Sequence, residues 1–248
     1  MKTEKRFWRA NAGPIRLFVV AAAMGAAAFG GISGSVRSRT AEKGRATAAF
    51  APDKGKLRIV VGGQQVGTEE YEIAASGDGW SARGNTEIKS AQGSTRVTGT
   101  LSMHGDGTPA RYEWSTQGPK KASAVVGFEG MTVTSELQME NVKPFTQQFT
   151  FTTPRIAVLD NNLYHQYGVL ARMYDWSRKG AQTFPVLVPQ ELTPGSATVE
   201  SMGRQDAGGM SADELRVKTE DNEIDVFLDG PRLIRIEVPS ANAEIVRE

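Results

Sequence analysis

Apolar and polar positions alternate through most of the chain beyond Lys56, and this period of two predicts β-strands. Leu57, Ile59 and Val61 fall on one face of a strand, Gly62 and Gly63 permit a tight reversal, and Tyr71 and Ile73 line the next strand with Glu70 and Glu72 facing away. After the turn at Ser76–Gly79, Trp80, Ala82, Gly84, Thr86 and Ile88 share a parity; after Ala91–Ser94, so do Val97, Gly99, Leu101 and Met103. Tyr112 with Trp114, then Ala124, Val126 and Phe128, then Met131, Val133, Leu137 and Met139, and then Phe149 with Phe151 continue the rhythm. Turn signals separate these segments with no helix between them, which describes an antiparallel meander.

One later stretch, Pro154 to Lys179, breaks the alternation. Leu163, Tyr167, Leu170 and Tyr174 recur at helical spacing and form one narrow apolar stripe at about 100° per residue. Asp160, Asn161 and Asn162 supply short polar side chains for the first turn, so a helix is expected over about 161–177, fading near Gly180 with Arg178 and Lys179 against the negative end of its dipole. Val169 and Trp176 form a second apolar set near His165, opposite the stripe, and need a loop, a ligand, a membrane or a partner to cover them. Strands then resume. Phe184, Val186 and Val188 alternate beside Pro185 and Pro189, which suits an edge strand; Ser201–Ala212 reads as a mobile surface loop; and Leu215 with Val217, Ile224 to Leu228, and Ile234 to Val238 close the chain. A meander of about 10 to 14 strands is too long to stay flat. The expected fold is therefore mainly β, a long antiparallel meander curled into a barrel or half-barrel with one helix packed across it.

The first 40 residues differ from the rest. They carry seven basic residues and one acidic, and the remaining chain has 22 basic against 27 acidic, so it offers no global attraction to nucleic acid. Five positive charges precede the apolar run Leu17–Ile32, and the small residues Ser33, Gly34 and Ser35 follow it, the plan of a secretory signal. Residues 1–40 are thus expected to be a signal peptide, or an N-terminal anchor if uncleaved; 41–54 a linker; and 55–248 one β-rich domain. The expected location is the periplasm, with anchoring to the inner membrane by residues 17–32 as the alternative. The absence of cysteine excludes disulfides, a thiol nucleophile and a lipid-bearing cysteine.

No residues assemble a catalytic site in the sequence. His165 has no second helical ligand three or four residues away, and His104 with Asp106 lies in HGDGTP, a turn composition. VGGQQVG lacks the Lys and Ser or Thr of a phosphate loop, no G-x-S-x-G occurs, and Asp229–Gly230 is an Asp-Gly turn. No catalytic residue, metal site or cofactor is expected, and the protein is read as non-enzymatic. Two features suggest binding instead. Gly84 and Gly99 lie among large inward residues, where they either let the sheet bend or leave an apolar hollow, and aromatics collect at Tyr112, Trp114, Tyr164, Tyr167, Tyr174 and Trp176.

Gly63, Gly67 and Tyr71 in the opening hairpin, TPARYEW at 108–114, LDNNLYHQY at 159–167 and LDGPRLIRIEVPS at 228–240 together resemble bacterial exported β-rich domains of unknown function with a lipoprotein-carrier (LolA-like) half-barrel. Such carriers hold acyl chains between a curved sheet and covering helices, whereas this chain offers one helix. The resemblance implies a lipid or other apolar ligand between sheet and helix. Leu163, Tyr167, Leu170 and Tyr174 would then be the lid, facing Trp80, Tyr112, Trp114 and Phe128. The alternative is an envelope interaction or structural module whose core is fully packed, with a protein partner at an exposed edge or on the second helix face.

Overall fold

The computed structural model describes residues 50–91, 93–178 and 180–248. The expectations for residues 1–40, and for 41–49 of the linker, lie outside the described residues. Among the described residues fifteen strands form one sheet. The first eight are β1 (Asp53–Val61), β2 (Gln64–Ser76), β3 (Gly79–Ser90), β4 (Gly93–Met103), β5 (Pro109–Gln117), β6 (Ala122–Glu129), β7 (Thr132–Met139) and β8 (Phe145–Thr150). A two-residue β9 (Ala157–Val158) leads to the helix α1 (His165–Met173), and β10 (Gln182–Val188), β11 (Thr193–Asp206), β12 (Ser211–Lys218), β13 (Glu223–Asp229), β14 (Arg232–Val238) and β15 (Ala243–Arg247) complete the chain. Among the described residues no helix is long and apolar enough to cross a membrane.

Neighbours in sequence are neighbours in the sheet, in the order β8 back to β1, then β15 back to β9. The first and last strands therefore pair, from Leu57 opposite Arg247 to Val61 opposite Ala243. The sheet is not closed: β8 and β9 are its two ends, joined in sequence by six residues of chain. Every pairing is antiparallel except β9 with β10. Alternation works as read: Leu57, Ile59, Tyr71, Ile73, Ala82, Leu101, Tyr112 and Val126 are buried, while Glu70, Glu72 and Arg83 face outward. Register shifts at Ile59/Val60, Ser102/Met103 and Phe227/Leu228 add the curvature that bends the sheet around.

A curved sheet of this many strands spans far more space than strand side chains fill, so something must occupy its concave side. The segment from Ile156 to Tyr174 does so. Of the nine residues of α1, only Arg172 is not fully buried, so the helix has no wet face. It packs on β3 from one arm of the sheet and on β14 from the other. Ile73 and Leu233 both approach Gly168, which lets the two arms close on the helix together.

Several local expectations change. The helix begins at His165 and ends at Met173, shorter than 161–177. Asn162 has φ of 63°, a left-handed conformation that keeps the Asp160–Asn162 stretch out of the helix. Arg178 lies beyond the helix end, and the basic residue in the last turn is Arg172. Ser201–Ala212 is not a loop but the end of a long β11–β12 hairpin, with a bulge between Ser201 and Gly203 and a turn only at Ala207–Met210. Strand β1 opens at Asp53, and Phe50 already packs on Trp80 with ring centroids 5.2 Å apart.

Candidate functional site

Where helix and sheet meet, the interior is polar as well as apolar. Glu69 shares the inward parity of Tyr71 and Ile73 on β2, and its side chain is 0% exposed. It caps α1 from across the barrel. One carboxylate oxygen accepts the backbone N–H of Tyr164 at 2.8 Å and of His165 at 3.2 Å, while the other meets the His165 ring Nδ1 at 2.6 Å. A carboxylate at a helix N-terminus satisfies otherwise unpaired donors and interacts favourably with the dipole. No side chain of the helix's own lead-in does this.

The pair fits because of glycine. A Cβ at Gly84 would stand 2.5 Å from His165 Nδ1 and 2.6 Å from Glu69 Oε1, and one at Gly99 would stand 2.5 Å from Leu163 Cδ1 and 2.8 Å from Tyr112 Oη. Gly84 and Gly99 are directly paired across β3 and β4. The helix lead-in presses its side chains into the space that these two glycines leave.

A second buried carboxylate holds the lead-in itself. Asp160 Oδ1 accepts the backbone N–H of Gln190 at 2.9 Å and of Asn161 at 3.1 Å, Tyr112 donates its hydroxyl to Oδ2 at 2.8 Å, and the Asp160 N–H donates to Gln166 Oε1 at 2.5 Å. These partners are all neutral. Burial pushes the Asp160 carboxyl up to about 7, against the lowering effect of those hydrogen bonds, and burial beside Asp160 likewise raises Tyr112. Next to the lead-in, Asn161 Nδ2 donates to Glu191 at 2.9 Å.

A third cluster joins the two ends of the chain. Arg247 on β15 donates to the Tyr71 hydroxyl at 2.8 Å and to Leu233 O at 3.0 Å, pairs with Asp53 at 3.1 Å, and also donates to Lys54 O. Tyr71 donates to Asp53 at 2.5 Å, and its ring stacks on His165 with centroids 5.9 Å apart and planes 17° from parallel.

The chemistry open to this arrangement is limited. A histidine held by a carboxylate through Nδ1, with Nε2 unpaired, has the geometry of a general base. Both side chains are at most 1% exposed, so in this conformation no substrate reaches Nε2. Among the described residues no group of three or more His, Asp or Glu is placed to hold a metal ion.

Of the eight residues proposed for an apolar site, Tyr112, Trp114, Phe128, Leu163, Tyr167, Leu170 and Tyr174 are buried in one core and Trp80 is half-buried at its margin. Leu163 and Tyr112 both lie over Gly99, so lid and lining crowd the same space at that point. Val169, from the second helix face, is buried in the same core, and Trp176 is half-buried edge-on to Tyr174. A shallow hollow of about 340 Å³ opens on the outer face of the sheet, between Glu70, Glu72, Arg83, Asn85, Thr98 and Thr100. Sequence reasoning passed over Glu69, whose parity with Tyr71 was the available signal, and took Asp160 for a helix cap.

No protein-family model matches the chain, and no curated protein does. Among solved structures it is similar to the crystal structure of a β-barrel-like protein of domain of unknown function DUF1849 from Brucella abortus. The TM-score is 0.54 and the identity 11%, over 81% of this chain and 96% of that one. The likeness is one of fold: a β-rich, barrel-like domain.

Proposed function

We propose that this protein is an exported, non-enzymatic module of the cell envelope that acts through its outer surface and edges rather than by carrying a ligand inside. The supporting observation is that α1 is enclosed on all sides and that His165 and Leu163 fill the space over Gly84 and Gly99. With both helix faces buried, the open end of the sheet at β8 remains as the place for a protein partner. Strand β8 pairs only with β7 among the described residues, and its stretch TQQFT at 146–150 carries no charge or proline to block strand addition. Export rests on the charged, apolar and small-residue plan of residues 1–35.

A lipid or other apolar ligand between sheet and helix is the second reading. It is favoured by buried polar atoms that have no protein partner, Trp114 Nε1, Ser135 Oγ, His165 Nε2 and Gln166 Nε2, and by the aromatic lining around them. Such a ligand requires α1 to leave its seat. Solvent extraction of the protein purified from its native envelope, followed by mass spectrometry, separates the two. The first reading predicts no co-purifying lipid and a protein adduct from a photo-crosslinking residue at Gln147 or Gln148; a stoichiometric lipid with no such adduct would replace it with the second.

A further inference from the structure

Asp160 touches three parts of the molecule at once: Tyr112 on β5 in the first arm, Gln190 just after β10 in the second, and Gln166 on the helix. Around it the lead-in is ringed by acids. Glu69 faces Tyr112 from β2, Glu191 is bonded to Asn161, and Asp221 in the β12–β13 turn faces Glu191. His165, bound to Glu69, is the one cationic candidate in this group. Every hydrogen bond to the Asp160 carboxyl comes from a neutral donor. A charge on Asp160 is therefore buried with only neutral donors bonded to it, and a proton on Oδ2 removes that charge while the two backbone bonds to Oδ1 remain.

We propose that residues 156–173 are a proton-responsive plug: with Asp160 neutral the plug is seated between the two arms, and loss of that proton loosens it from both. This goes beyond the surface role proposed above and stands or falls independently of it. The direction follows from linkage. A carboxyl held up in the seated state binds its proton more tightly there than when released, so seating is strongest at low pH and weakens as pH rises toward the seated value. The window runs from the ordinary 3.8 to about 7. Within it the seated-to-released ratio falls about tenfold per pH unit, and above it the ratio is level.

The test is hydrogen–deuterium exchange of the full chain, corrected for the intrinsic pH dependence of exchange and read in peptides covering 157–173. The expected result is protection that falls with rising pH in wild type, with the fall abolished in Asp160→Asn. Glu69→Gln, which alters the neighbouring pair, should lower protection yet keep the slope. Flat protection in wild type overturns the proposal, as does a slope that survives Asp160→Asn or vanishes in Glu69→Gln. Should Asp160→Asn not fold, the carboxyl carbon resonance of Asp160 in wild type decides: a titration at the ordinary carboxylate pH overturns it, and one near neutrality that coincides with the loss of protection upholds it.

Discussion

Replacing Glu69 by alanine should be among the most damaging single changes in the domain. The carboxylate accepts two backbone N–H groups at the start of α1 and contacts the ring of His165, all in a region without solvent. Hydrogen bonds to a charged acceptor contribute about 1.5–3 kcal/mol each, but bonds sharing one acceptor do not add fully. Removing one partner of a buried ionic contact costs roughly 3–5 kcal/mol. We therefore expect about 4 kcal/mol for Glu69→Ala, a large part of the roughly 5–15 kcal/mol that holds an ordinary domain. Glu69→Gln keeps the volume and one acceptor oxygen and should cost about 1–3 kcal/mol. Urea unfolding followed by far-UV circular dichroism at neutral pH measures both. A loss below about 1 kcal/mol for Glu69→Ala, at unchanged denaturant slope, would show that the helix is held without this cap.

Other substitutions test the remaining contacts. Gly99→Ala forces a methyl against Leu163 and Tyr112 and should destabilise by about 1–3 kcal/mol, with part of the loss recovered by Leu163→Ala in the double variant. Arg247→Met leaves Asp53 buried without its cation and should cost about 3–5 kcal/mol in thermal or urea unfolding. Tyr71, Tyr112, Tyr164 and Tyr167 are all held above the ordinary tyrosine range, with burial the leading cause. An alkaline absorbance titration should therefore show these four forming tyrosinate only together with unfolding. Met202→Ser, on an exposed stretch of β11, should change stability by less than about 0.5 kcal/mol.

The meander was legible because a half-buried strand repeats every two residues whatever its partner, and inner positions such as Leu57, Ile59 and Val126 follow that rule, whereas Met131, read with Val133, lies in the turn before β7 and is exposed. The helix was legible as an element and misplaced at its ends. Its apolar stripe advertises a rod, but Tyr164 and His165 are capped by Glu69, almost a hundred residues earlier, and no local pattern records a cap of that kind. The buried carboxylates were missed for a related reason. A charged residue at an inward position reads as a flaw in the alternation until its partner is known, and Glu69 and Asp160 find theirs only once the sheet curls around the helix. Gly84 and Gly99 left two readings open, curvature or hollow, since the side chains that fill their space come from the far side of the fold.

The central claim is that the barrel's own helix segment occupies its interior, and nuclear Overhauser contacts of Leu163 test it most directly. At acidic pH, where the plug is expected to be seated, the Leu163 methyls should show strong contacts to the Gly99 α-protons and the Tyr112 ring. Methyls of Leu163 with no contact to either residue, or in contact with a lipid chain, would contradict it.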